Sequence, residues 1–253
     1  MGSVSMRTAN FMGNYGFSKK LNIIASLPFV RTKASAGTLG GQKGLQDFSL
    51  WLKWRALKIK TGRAVLSFYA LGGLSFPVSD YTADFMPLSI GNESTNVSVR
   101  IMTDYLSGKF FITGSGTYVY RDNIKIDRSS YYTTHMHLTN EVEMPNAASF
   151  NLRTGYRSKW LILEAVVNNW TTLGGFDITR NNMPFPSNRM NATTLGAGFK
   201  YTFRALSTLS VIGGASTTVS GRNVGQSKGL YAGIFYNIRF SHRKESTIHS
   251  RSK

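Results

Sequence analysis

The sequence predicts an all-β protein, an antiparallel up-and-down transmembrane β-barrel with about eleven strands present out of an even total of about twelve. Three observations carry that expectation. Apolar and polar residues alternate with period two in segment after segment, as an extended chain requires and a helix does not allow. Connections alternate between short turns and long polar loops, the grading of an outer-membrane barrel. The alternating segments run to roughly 10–14 residues, against the ~5–6 usual in globular sheets, and suit tilted strands crossing a bilayer.

Composition narrows the class further. The chain has 253 residues, 42% hydrophobic and 17% charged, with 25 glycines. That is too apolar for a disordered tail and too poor in charge for a coiled coil. Mean hydropathy is −0.16, and no apolar run reaches the ~18 residues of a membrane helix. The absence of cysteine removes disulfides, thiolate zinc sites and thiol nucleophiles together.

The elements follow in order. A weakly patterned strand falls within residues 3–13, and a second runs from Leu21 to Arg31. Phe48, Leu50, Leu52, Trp54 and Ala56 then share one face, with Asp47, Ser49, Trp51, Lys53 and Arg55 on the other. After Lys60-Thr61-Gly62, the apolar face resumes at Ala64, Leu66, Phe68, Ala70, Leu74 and Phe76, so the two segments read as a hairpin. Val97, Val99, Ile101 and Tyr105 alternate with Ser98, Arg100, Met102 and Asp104, and Ser107-Gly108 turns into Phe110, Ile112, Tyr118 and Tyr120. Ala148, Phe150, Leu152 and Tyr156 precede the turn Arg157-Ser158-Lys159, after which Leu161, Leu163, Ala165 and Val167 face away from Glu164 and Asn168. Leu195, Ala197, Phe199, Tyr201 and Phe203 oppose Gly196, Gly198 and Lys200, and a turn near Arg204 leads to Leu209, Val211 and Ala215. The last strand sets Leu230, Ala232, Ile234, Tyr236, Ile238 and Phe240 against Tyr231, Asn237 and Arg239.

Short turns lie near residues 60, 108, 158 and 204; long links span 33–44, 78–93, 122–146 and 172–188. A soluble sandwich has no reason to grade its loops this way. Aromatics gather at both rims: Trp54, Tyr105, Phe110, Tyr156, Trp160, Tyr201, Phe203 and Phe240 towards the short turns, Phe29, Phe76, Tyr118 and Tyr120 towards the long loops. Rings prefer the headgroup level, so two girdles result.

Thirty Lys and Arg against twelve Asp and Glu give +18. Nucleic-acid binding would need those charges clustered. They are dispersed, and the one dense run is His242-Arg243-Lys244, extended by Arg251 and Lys253. Residues 1–240 therefore read as a single barrel domain and 241–253 as a basic tail.

The stretch NYGFSKKLNIIASLPFVRTKASAGTLGGQKGLQDFSLWLKW, Asn14 to Trp54, resembles outer-membrane transporters of the meta-pathway phenol degradation family, particularly its Bacteroidota-type members. NNMPFPSNRMNATTLG, Asn181 to Gly196, and YYTTHMHLTNEVEMPNA, Tyr131 to Ala147, are similar to the long loops of the same group. The resemblance implies an outer-membrane barrel of about a dozen strands and supplies no catalytic motif. A signal peptide and an initial strand are expected before Met1, so the resemblance and the strand parity together predict an N-terminal truncation.

Candidate chemistry is sparse. His135 and His137 form an H-x-H pair with Glu141 and Glu143 nearby, too few ligands at metal-site spacing. No nucleophile elbow or ordered Ser-His-Asp spacing stands out. Gly72-Gly73 and Gly213-Gly214 lie inside strands, where close packing explains them. No catalytic, cofactor or metal site is expected, and no cofactor.

Charge inside the barrel is the better lead, because Arg or Lys facing lipid near the midplane costs roughly 2–4 kcal/mol. Trp51, Lys53, Arg55, Arg100, Asp104, Arg153, Glu164, Lys200, Tyr231 and Arg239 are the candidate lumen residues. Arg100 and Arg153 are expected within reach of Asp104 or Glu164. The expected function is a passive outer-membrane channel for small solutes, aromatic or anionic ones among them, whose surroundings are outer-membrane lipid and lipopolysaccharide. A structural or surface-interaction barrel with a charge-plugged lumen is the alternative; a membrane-embedded lipid hydrolase or acyltransferase is the third.

Overall fold

The structure, a computed structural model, describes residues 2–179 and 182–238. Strands are β1 (Val4–Gly16), β2 (Leu21–Ala34), β3 (Lys43–Leu45), β4 (Asp47–Thr61), β5 (Ala64–Pro77), β6 (Asn96–Ser107), β7 (Phe110–Arg121), β8 (Ile124–Lys125), β9 (Tyr131–Tyr132), β10 (Met136–His137), β11 (Glu141–Val142), β12 (Ala147–Arg157), β13 (Leu161–Thr172), β14 (Asn191–Thr202), β15 (Leu209–Arg222) and β16 (Lys228–Tyr236). Eleven long strands form one antiparallel sheet in the order β1-β2-β4-β5-β6-β7-β12-β13-β14-β15-β16, with short β3 paired to β2. Four further short strands make two hairpin-like pairs, β8 with β11 and β9 with β10, inside one long loop.

Each neighbour in the large sheet is the next long strand in sequence, the meander that short connections dictate. The left-handed backbone at the tight turns falls on glycine, φ 58° at Gly62 and 59° at Gly108, where a side chain would be strained. Among the described residues β1 and β16 each have one neighbour, so the curled sheet has two free edges. Both edge strands run from the long-loop rim to the short-turn rim. At the start of β1, the Ser35 amide donates to the Ser3 carbonyl, which fixes the beginning of that strand beside the long loops.

The predicted faces are in place. Ile101 is 67% exposed, Leu230 88% and Ile234 77%; Leu52, Trp54, Leu74, Val99, Phe150, Leu163 and Phe199 are exposed with them. An exposed apolar face on every strand is what lipid contact selects. The fully buried side chains lie elsewhere. Loop 78–95 folds over the inner face of β2, where Tyr81 and Ile90 bury Val30 and the Thr32 hydroxyl donates to the Leu88 carbonyl at 2.5 Å. Ala83, Ile124, Ile126, Tyr131, Val142, Met144 and Phe185, from three long loops, form a second cluster. The long-loop mouth is therefore capped by a small hydrophobic core of its own.

Candidate functional site

Period-two geometry dictates what points inwards. Cross-strand partners share a face, and the pairs Lys53↔Leu71, Leu71↔Arg100, Arg100↔Thr117 and Thr117↔Ser149 make one continuous inner row. A second row runs through Ser67, Asp104, Thr113 and Arg153. These rows wall a cavity of about 730 Å³ whose lining includes Lys53, Tyr69, Arg100, Asp104, Arg153, Arg157, Glu164 and Trp170. Four cations and two carboxylates leave a net charge of +2 at this wall.

The carboxylates are each engaged. Arg157 donates through one terminal nitrogen to both Asp104 oxygens, at 3.0 and 3.1 Å, with its guanidinium 4.0 Å over the buried Phe111 ring. Thr113 also donates to Asp104. Arg153 pairs with Glu164 at 3.3 Å and reaches Asn151 at 3.1 Å. Arg100 has no carboxylate partner among the described residues: its Nε donates to the Thr117 hydroxyl at 2.7 Å and its guanidinium stacks 4.6 Å over Trp51. Lys53 sits 4.4 Å over the Tyr69 ring. Two cations are thus held by aromatic faces and a hydroxyl, and their charge stays uncompensated.

Glycines let the aromatics lie flat. A Cβ on Gly73 would fall 2.6 Å from the Trp51 ring, and one on Gly214 would fall 2.6 Å from Tyr231. The space beside Gly198 is taken by the Tyr231 hydroxyl and the Glu164 carboxylate.

Of the expected lumen residues, Lys53, Arg100, Asp104, Arg153 and Glu164 line the cavity, and Trp51 backs it through Arg100. Lys200 lies apart, 4.0 Å over Phe235 near the short-turn rim. Arg55 shares the face of Lys53 and is half-buried, next to an irregularity in the β4–β5 register. Tyr231 lies on the edge strand β16. Arg239 and the tail from 241 to 253 lie outside the described residues. The expected partner of Asp104 differs: Arg157, read from sequence as a turn residue, takes the place anticipated for Arg100 or Arg153. Trp170 and Tyr69 were also missed. Parity carries the signal for all three, since Arg157 is four residues from Arg153, Trp170 is six from Glu164, and Tyr69 alternates with the outward Phe68 and Ala70.

The mouth is held by its own latches. The Tyr81 hydroxyl donates to Asp47 Oδ1 at 2.6 Å and accepts from the Glu93 amide at 2.9 Å. Burial, reinforced by Asp47, pushes the Tyr81 phenol up from its usual range. Burial also raises the Glu93 carboxyl, with Asp80, Asp47 and Asp84 adding to it. On the far side, Arg222 grips Asp177 at 2.8 and 2.5 Å, and this bond, with that from Asn223, lowers the Asp177 carboxyl. The His135 and His137 rings lie 4.1 Å apart with their planes tilted by 36°, His137 stacks on the Tyr131 ring at 4.6 Å, and Thr133 bonds His137 at 2.9 Å. No group of three metal-ligating side chains occurs among the described residues.

A family model described as "Putative MetA-pathway of phenol degradation" matches residues 4–233. The chain belongs to the MetA-pathway phenol degradation family. The match spans every strand of this family member, from β1 into β16. Among solved structures it is similar to an outer membrane channel from Pseudomonas putida F1, at 16% identity and a TM-score of 0.65 over 91% of this chain and 83% of that one. A second solved chain, from work on the in-meso crystallization of membrane proteins, overlaps more loosely, at 14% identity and a TM-score of 0.45 over 93% and 78%. No curated protein matches the sequence. The fold shared with the Pseudomonas channel agrees with the outward apolar face and the polar interior.

Proposed function

We propose that this family member is a passive outer-membrane channel that favours small anionic solutes, aromatic carboxylates among them. Its long loops face the exterior and its short turns the periplasm, the ordinary barrel orientation. One observation carries the reading: the lumen wall holds Lys53 and Arg100 on aromatic faces with no carboxylate partner among the described residues. Rings of positive charge in a narrow aqueous path attract anions and repel cations. Tyr69, Trp51 and Trp170 add ring surface against which an aromatic solute can lie.

The alternative of a plugged barrel draws on the paired Arg157–Asp104 and Arg153–Glu164 bridges and on the capped mouth. Purified protein in planar bilayers under a KCl gradient decides between them. A reversal potential on the anion side, with benzoate reducing chloride current, supports the channel. Absence of conductance across a range of voltages supports the plug.

A further inference from the structure

Among the described residues the outer face carries a strongly charged patch at the long-loop end. Arg7 pairs directly with Arg31 across β1–β2, and Arg31 pairs directly with Lys43 across β2–β3. Lys33 stands one step beyond, opposite Ser5. Their partners in alternation, Val30 and Thr32, are buried beneath loop 78–95, so Arg31 and Lys33 must face outwards. Ser5, Arg7, Arg31 and Lys33 line a small hollow of about 150 Å³.

This row is unfavourable by itself. Directly opposed like charges on a sheet repel, and three stand in line here. No acidic residue occurs before Asp47, whereas six Lys or Arg do, and Asp47 is turned to the interior by its bond to Tyr81. Among the described residues none of the four cations makes an ion pair. An external anion is the missing counter-charge.

The surface just below selects what carries it. One alternation step towards the midplane, about 7 Å along the strands, Ala9, Phe29 and Leu45 form the next cross-strand row, with Phe29 and Leu45 exposed. Cations above and an apolar shelf beneath match an amphiphile with phosphate at its head and acyl chains below. We infer that Arg7, Arg31, Lys33 and Lys43 form a binding site for a phosphorylated outer-leaflet glycolipid of the lipid A class. The assignment rests on the orientation proposed above, long loops outwards, and not on what crosses the lumen.

Native mass spectrometry of the protein in detergent micelles tests it, with bisphosphorylated lipid A, its dephosphorylated form and inorganic phosphate as separate probes. Charge-assisted contacts to phosphate are worth about a tenfold affinity factor or more each. Bisphosphorylated lipid A is therefore expected to bind at least about tenfold tighter than the dephosphorylated form. Arg31→Gln with Lys33→Gln should weaken it by a similar factor, whereas Lys19→Gln with Lys20→Gln, the same charge removed at the opposite rim, should leave it unchanged. Arg7→Gln with Lys43→Gln serves as a second variant should the first fail to fold. Equal affinity for the dephosphorylated lipid, or for both charge variants, overturns the site; inorganic phosphate binding as tightly as the lipid reassigns it to soluble anions and overturns the lipid. Orientation is read separately, by labelling Ser129→Cys in this cysteine-free chain with an impermeant maleimide on intact cells. Failure to label overturns the orientation while leaving the micelle affinities to judge the site.

Discussion

Arg100 offers the sharpest test of the lumen reading, because its charge is fixed in place without being neutralised. Asp104 and Glu164 are already committed to Arg157 and Arg153, so Arg100→Gln removes one uncompensated unit from a wall of +2. An ion passing about 5 Å from that charge in a water-like dielectric feels about 0.8 kcal/mol, which screening in 0.1 M salt reduces to about 0.5 kcal/mol. Anions lose that attraction and cations lose the matching repulsion, so their permeability ratio changes by about 1 kcal/mol, or about fivefold. Arg100→Glu doubles the charge change and should shift the ratio about thirtyfold, to near neutrality or into cation preference. The electroneutral pair Arg157→Gln with Asp104→Asn leaves the net wall charge unchanged and should leave selectivity close to wild type. Reversal potentials under a tenfold KCl gradient measure all three. Wild-type anion preference retained by Arg100→Glu would refute the placement of this residue in the permeation path.

Other expectations concern the wall and the cap. Ile101→Arg puts a cation on the lipid face of β6 and should cost about 2–4 kcal/mol in bilayer unfolding titrations, whereas the neighbouring Met102→Arg points into the cavity and should cost far less; equal costs would mean that the register is wrong. Tyr81→Phe removes the bond to Asp47 and strands the Glu93 amide, so the cap should lose about 1–3 kcal/mol, seen as faster hydrogen exchange across residues 78–95 and more frequent opening in single-channel records. Unchanged protection would show that the apolar contacts alone hold the loop. Because the Glu93 carboxyl is raised in the folded cap above its ordinary 4.5, the folded form keeps its proton to higher pH than the open form. Cap stability should then fall as pH rises through the interval above 4.5, and Glu93→Gln should weaken that dependence in opening rates measured between pH 4 and 7.

Much of this was legible from residue order because a sheet with one apolar face repeats its instruction every second residue. Phe48 to Trp54 and Val97 to Tyr105 could be assigned to faces without knowing their neighbours, whereas at Ala56 a register shift breaks the alternation. The partnership of side chains across the lumen was not legible in the same way. Arg157 reaches Asp104 over the intervening β7, on a diagonal set by strand stagger, and stagger depends on how the whole sheet is sheared. Sequence parity placed Arg100 and Arg153 inside but could not choose between Asp104 and Glu164 as partners. The cap was harder still. Tyr81, Ile90, Ile124 and Phe185 meet from loops far apart in the chain, with no period to announce them, and only tertiary contact reveals that these polar loops carry a core.

The glycines behind the aromatic rings have a bearing on how such a passage changes over evolution. Trp51 lies flat because Gly73 offers it bare backbone, and the Arg100 guanidinium rests on that indole. Adding one methyl group at Gly73 leaves every lining side chain chemically intact, yet it must tip the indole towards the axis and carry the cation with it. On the proposed channel reading, the aperture can therefore be regauged from behind, through a residue no solute touches. Homologous chains of the same length and charge could then differ in lumen calibre by a single alanine.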